Sequence, residues 1–209
     1  AEATVASAKQ IYYCFGCNSG GNVFSFLMDY QQIPFPDAVK TLAERYNIPI
    51  SIERSEGDSE LYSSLYKLHE IAMNLYQDNL FSSSGKNALN YLKDRGLNED
   101  IIKQFKVGFA EDGWDQLVKK CKGRGFTQSQ IVKSGLFTQS EKGVFDRFRS
   151  RIMFPIFHPS GKPIAFGGRI FESDDPAKYL NSPETPLYKK SNVFYGLHPT
   201  RDAIRKEGY

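Results

Sequence analysis

The sequence predicts an α+β chain in two parts, a small metal-ribbon module followed by a larger mixed α/β module. Three observations carry that expectation. Cys14-Phe15-Gly16-Cys17 sets two thiols at the spacing of a metal-binding knuckle within a stretch rich in Tyr. From Leu61 onward apolar residues recur at helical spacing. Residues 151–171, RIMFPIFHPSGKPIAFGGRIF, run as extended apolar segments on either side of a turn. The 209 residues, 40% hydrophobic and 24% charged, are enough for one full domain or one and a half, with an ordinary globular composition. A net charge of +3 selects no partner class, because a nucleic-acid protein can gather its basic residues on one face. No run approaches the roughly 18 apolar residues of a membrane span, and the first residues lack a secretory pattern, so the expected setting is the cytoplasm. Three cysteines are too few for a disulfide framework, and Cys121 reads as structural.

The first module is expected over residues 1–53. Val5 to Cys17 reads as a β ribbon whose cysteines close a turn at Gly16. Asn22 then caps a helix with an apolar face of Val23, Phe24, Phe26, Leu27 and Tyr30. Pro36 suits the first turn of a second helix, with Ala38, Val39, Leu42, Ala43 and Tyr46 inward, ending at Asn47. So small a module has little core and gains from a metal. Residues 54–60, RSEGDSE, hold no large apolar residue and read as a linker.

The second module is expected over residues 61–209. Leu61, Leu65, Leu68, Ala72 and Leu75 mark a long amphipathic helix that fades at Ser82-Ser83-Ser84-Gly85. Two shorter helices follow, Lys86 to Asp94 stopped by Gly96, and one capped by Asn98 that carries Ile101, Ile102 and Phe105. Thr127-Gln128-Ser129-Gln130 has capping-box spacing and opens another helix, stopped by Gly135. The chain then turns extended at Arg151, with Pro159-Ser160-Gly161-Lys162 as the turn of a β-hairpin.

Several residues invite chemistry. Arg147, Arg149 and Arg151 set three guanidinium groups in five residues, on one face if the segment is extended, which suits phosphate; an exposed solvated strand is the alternative. Arg169 follows Gly167-Gly168, where a backbone can approach a ligand closely or a strand can bulge. Lys9, Tyr12, Tyr13 and Phe15 form a basic and aromatic set able to stack on single-stranded bases, with packing against the metal site the alternative for Tyr12 and Phe15. Cys14 and Cys17 favour zinc over redox chemistry, because the helix starts too late to lower a thiol pKa. His69, His158 and His198 form no catalytic set. Asp174-Asp175 reads as solvated loop.

The blocks YYCFGCNSGGNVFSFLMDY, YLKDRGLNEDIIKQFKVGFA, DRFRSRIMFPI, FGGRIF, KYLNSPET and FYGL, in this order, resemble the bacterial replicative DNA primase family, the DnaG type. The resemblance covers nearly the whole chain, from the zinc ribbon into the N-terminal part of the RNA polymerase domain. It implies synthesis of short RNA primers on single-stranded DNA from ribonucleoside triphosphates, Zn2+ in the ribbon, and Mg2+ or Mn2+ in the whole enzyme. It implies a replicative helicase and a single-strand binding protein as partners in the bacterial cytoplasm. Family members supply a further Cys and His upstream of the position of Ala1, so Cys14 and Cys17 are expected to be half a zinc site. The arginine block is expected along the template groove, and Lys178, Tyr179 and Lys190 at the nucleotide triphosphate. Asn181 and Glu184 are expected to shape their loop. The metal-holding carboxylates belong to a downstream Toprim-type fold, so no catalytic residue is expected in this chain, and Glu207 is expected in a turn just before that fold. As it stands the chain should bind template and nucleotide without polymerising. The rival readings are a non-catalytic single-strand binding module and a topoisomerase-related enzyme.

Overall fold

A computed structural model describes residues 3–31, 33, 35–49 and 56–207, and the chain divides into two compact units, Ala1–Glu53 and Arg54–Tyr209.

In the first unit, strands β1 (Ala3–Ala6), β2 (Ile11–Cys14) and β3 (Gly20–Asn22) form an antiparallel sheet in that order. A left-handed residue, Gln10 (φ 53°), turns the chain from β1 into β2, and Asn18 (φ 57°) turns it into β3. Asn22 caps helix α1 (Val23–Gln31), its Oδ1 accepting the N–H of Ser25 at 3.0 Å. Helix α2 spans Phe35–Arg45. Among the described residues only Leu27, Ala38 and Ala43 are buried hydrophobics here. Val23, Phe26, Tyr30 and Tyr46, expected inward from their spacing, are exposed. Phe26 instead meets Tyr12 edge-on at 5.3 Å and stacks on Tyr30 at 5.6 Å. The unit is thus held by a thin aromatic layer, as expected for a module that gains from a metal.

The second unit opens with helix α3 (Glu56–Leu80), so most of the expected linker is helical; Arg54 and Ser55 lie outside the described residues. Short helices α4 (Lys86–Asp94) and α5 (Glu99–Gln104) lead to strand β4 (Gly108–Ala110), and helices α6 (Gln116–Cys121) and α7 (Gln128–Lys133) to a separate hairpin of β5 (Phe137–Ser140) and β6 (Gly143–Asp146). The capping box of α7 is complete, with Thr127 and Gln130 bonded reciprocally. Strands β7 (Arg151–Phe157) and β8 (Pro163–Ile170) form the central hairpin of a sheet ordered β4-β7-β8-β9, where β9 is Tyr179–Asn181. Helix α8 covers Leu197–Glu207. Glu207 therefore ends a helix instead of standing in a turn, and Gly208 and Tyr209 lie outside the described residues.

Two cores flank the sheet because successive strand residues face opposite ways. Met153 and Ala110 join Leu65, Leu68, Ala72, Tyr76 and Phe166 under α3. Ile152 and Phe109 join Leu80, Leu92, Ile102 and Val107 on the other side. Gly108 lets α3 lie directly on β4, since a Cβ there would sit 2.5 Å from the Cβ of Tyr76.

Candidate nucleic-acid and nucleotide site

A groove forms where the β5–β6 hairpin meets the loop before α6. Trp114, Thr138, Ser140, Lys142, Phe145, Arg147, Arg149 and Leu180 line a cavity of about 530 Å3. Asp146 anchors this corner, its carboxylate accepting the N–H groups of Leu117 at 2.7 Å and Val118 at 3.0 Å at the start of α6. The chain leaves β6 carrying Arg147 and Arg149 with it. The guanidinium of Arg149 lies 3.8 Å over the Trp114 ring and donates to the Asp146 carbonyl, and Trp114 meets Phe145 edge-on at 5.7 Å. Arg147 has a buried Nε with no hydrogen-bond partner among the described residues, and burial holds its pKa below the ordinary arginine value. A buried N–H donor without an acceptor carries a desolvation cost that an anionic ligand relieves.

Arg151 departs from the expectation. It is 1% exposed and paired with Asp175 at 2.7 Å, so it does not share a phosphate-facing surface with Arg147 and Arg149. Ser150 has φ 47°, and that left-handed residue breaks the extended run on which a shared face depended. Asp175 is exposed, as expected of a solvated loop residue, and is also Arg151's partner. Arg169 lies on β8 between the rings of Tyr91 at 5.3 Å and Tyr179 at 5.9 Å. By strand alternation it faces away from Gly168 and Leu180, so the structure does not bring it into the groove.

Lys178 and Lys190 are both exposed. The Lys178 carbonyl accepts the N–H of Ile170 at 3.0 Å, which fixes its main chain at the start of β9. Tyr179 follows with 63% exposure. Lys190 opens a 3-10 turn, and its N–H approaches Glu184 Oε1 at 3.4 Å, so Glu184 shapes the loop through a backbone group.

In the first unit Cys14 ends β2, and its N–H donates to the Ser19 carbonyl at 2.8 Å. The N–H groups of Cys17 and Gly16 and the Cys17 side chain point at the Cys14 sulfur and hold its thiol below the usual cysteine pKa. Such N–H donors favour the thiolate, the form that ligates zinc. No group of three His, Cys, Asp or Glu that could hold a metal occurs among the described residues, so the knuckle fits two ligands of a zinc site. Lys9 is exposed in the turn before β2. Tyr13 is 41% exposed, meets Phe15 edge-on at 5.1 Å and donates its hydroxyl to Asn18 Oδ1 at 3.0 Å. Tyr12 packs on Phe26, whereas Phe15 stays 68% exposed.

Sequence reasoning missed Trp114, Lys142 and Phe145. The only signal for Trp114 was that a lone tryptophan stood in a Gly-Trp-Asp loop, where a ring is costly to leave exposed.

Residues 75–201 match the family "DNA primase catalytic core, N-terminal domain". The chain belongs to that family. Residues 1–58 match the CHC2 zinc finger, which makes the first unit a zinc-finger module. A DNA primase of Clostridium acetobutylicum is 41% identical over 198 residues, covering 93% of this chain and 33% of that protein. The chain spans about a third of the length of such curated relatives. A DnaG primase catalytic domain solved bound to single-stranded DNA aligns with TM-score 0.65 and 35% identity, over 70% of this chain and 46% of that one. The Aquifex aeolicus primase, solved with its zinc-binding and RNA polymerase domains, aligns with TM-score 0.61 and 30% identity, over 98% of this chain and 49% of that one. As in the primase family, the α+β chain joins a zinc module to the start of a catalytic core, and no described helix is long and apolar enough to cross a membrane.

Proposed function

We propose that this chain is the zinc-finger and N-terminal core part of a cytoplasmic bacterial DNA primase, which holds single-stranded template in the Trp114 groove and the incoming ribonucleotide at Lys178, Tyr179 and Lys190. The observation that carries the reading is the buried, unpartnered Nε of Arg147 beside the Trp114–Arg149 stack. A guanidinium held on an aromatic face presents a flat cationic surface for bases and, at its edge, donors for phosphate. Arg169, between two tyrosines, offers a second such surface. On the zinc module, exposed Lys9 offers a cation and exposed Tyr13 an aromatic ring for the same strand.

Primer synthesis by the whole protein, a Mg2+ or Mn2+ pair held by downstream carboxylates, and helicase and single-strand binding protein as partners complete the reading. In phosphoryl transfer such metals stabilise charge on the transferred group. The described residues of this chain contribute by binding and orienting: Lys178 and Lys190 neutralise triphosphate oxygens, and Tyr179 stands beside the first of them.

The test is primer initiation by the full-length enzyme. Lys178→Ala or Lys190→Ala is expected to raise the apparent KM for the initiating nucleotide by about tenfold, as loss of one charge-assisted hydrogen bond implies. Affinity for single-stranded DNA should change less than twofold by the same reasoning. Equal losses in both assays would move these lysines to the template.

A further inference from the structure

Arg151 opens β7 with its side chain in the core among Phe148, Met153 and Gly168. A Cβ on Gly168 would lie 3.0 Å from Arg151 Cδ, so glycine makes room for the stem. A guanidinium taken out of water needs partners, and Arg151 draws its closest ones from the loop between β8 and β9. Its Nη2 lies 2.7 Å from Asp175 Oδ2, and its Nη1 donates to the Ala177 carbonyl at 2.9 Å. A longer contact, 3.5 Å, reaches the Gly168 carbonyl on β8. The other Asp175 oxygen accepts the N–H of Ala177 at 2.8 Å. The residue immediately before Lys178 is thereby held by its C=O on Arg151, which is rooted in the sheet, and by its N–H on Asp175, the loop carboxylate that Arg151 pairs.

We propose that Arg151 and Asp175 form a clamp that positions Lys178 and Tyr179 to receive the triphosphate of a ribonucleotide. The proposal rests on the assignment of Lys178 to the nucleotide. Neither clamp residue touches the ligand. Arg151 is buried, and the Asp175 carboxylate is turned onto it, so the carboxylate's charge is compensated within the protein and does not stand uncompensated near an approaching polyanion. The clamp also fixes the Lys178 backbone before the ligand arrives, so the ordering cost is met on folding and not on binding.

The experiment measures ATP binding by calorimetry on the 209-residue chain, with urea unfolding run beside it. Asp175→Asn is expected to weaken ATP about five- to tenfold, the scale of coupling between residues that share one network. The same change made on Lys178→Ala is expected to cost under about twofold more, because the clamp acts through that lysine. Asp175→Glu keeps Arg151 paired but shifts the loop's anchor by one methylene; it should fold and still weaken ATP several-fold, which keeps the test open if Asp175→Asn does not fold. ATP affinity unchanged in Asp175→Glu, or losses that simply add in the double variant, would overturn the clamp and leave Arg151–Asp175 as a structural ion pair. If Lys178→Ala itself bound ATP like the parent, the nucleotide assignment would fall and the clamp with it. If Lys178→Ala alone were weakened, the assignment would survive and only the clamp would fall.

Discussion

Replacing both Arg147 and Arg149 with alanine is expected to weaken binding of the chain to a single-stranded oligonucleotide by one to two orders of magnitude, roughly what loss of two charged phosphate contacts costs. The salt dependence carries the sharper signature. Each phosphate contact on a single strand contributes about −0.7 to the slope of log affinity against log salt, so the double variant should flatten that slope by roughly 1.4. Arg169→Ala is expected to contribute about 0.7 more if Arg169 grips the same strand. Because Arg169 faces away from Leu180 and the groove it lines, Arg169 can fail this test while the groove passes it. Trp114→Ala should lower affinity with little effect on the slope, since it removes a stacking surface and no charge. Preference among base sequences should barely move, because backbone contacts carry no base information. Unaltered affinity and slope in Arg147→Ala/Arg149→Ala would return both residues to the solvated surface.

Acid is expected to destabilise the second unit through His69. The side chain is fully buried in α3, its Nδ1 within 2.8 Å of the Leu65 carbonyl and its ring stacked on Phe166 at 6.0 Å. A carbonyl can only accept, so Nδ1 carries the proton and the lone pair is on Nε2, which is buried without a partner among the described residues. Burial lowers the pKa from 6.5 to about 4, against the raising effect of the Leu65 bond. Between those values the unfolded chain takes a proton that the folded chain refuses. Stability from this residue is therefore complete above pH 6.5 and falls as the pH drops toward 4, by roughly 3 kcal/mol. Asp175, held low by the Ala177 N–H and then by Arg151, and Glu99, held low by Lys93, begin to act only below their ordinary values of 3.8 and 4.5. Urea unfolding from pH 7 to pH 4.5 reads the histidine window before either carboxylate acts. His69→Phe should remove most of the slope there, and a slope left unchanged would reassign it to other groups.

The parts of the fold that announce themselves in the sequence are those with a repeating or capped signal. Leu65, Leu68 and Ala72 mark the buried face of α3, the Thr127–Gln130 capping box marks α7, and Pro159 to Lys162 mark the turn between β7 and β8. Strand β4 and helix α6 are too short, at three and six residues, to show a period. The start of α3 reads as linker because Glu56 to Glu60 contain no large apolar residue; helix propagation from Leu61 carries them. In the site, the basic residues are visible by type, but their grouping is not. Arg151 goes inward because one left-handed residue, Ser150, separates it from Arg149. Trp114 joins the groove only because Arg149, far along the chain, folds back over it.

The sheet order β4-β7-β8-β9 has a consequence for solubility. Long, flat strand edges invite other chains to pair with them and so seed aggregation. Here the longest strands, β7 and β8, are central, and both outer strands are three residues long. Beyond Met153 the β7 edge is not covered by β4, and Pro155 sits in that stretch with no N–H to offer a neighbour. On the far side, β9 is preceded by Lys178 and followed within two residues by Pro183, so an added strand would find a charge at one end and a missing donor at the other. The hairpin that builds this core is thereby kept from extending into intermolecular sheet.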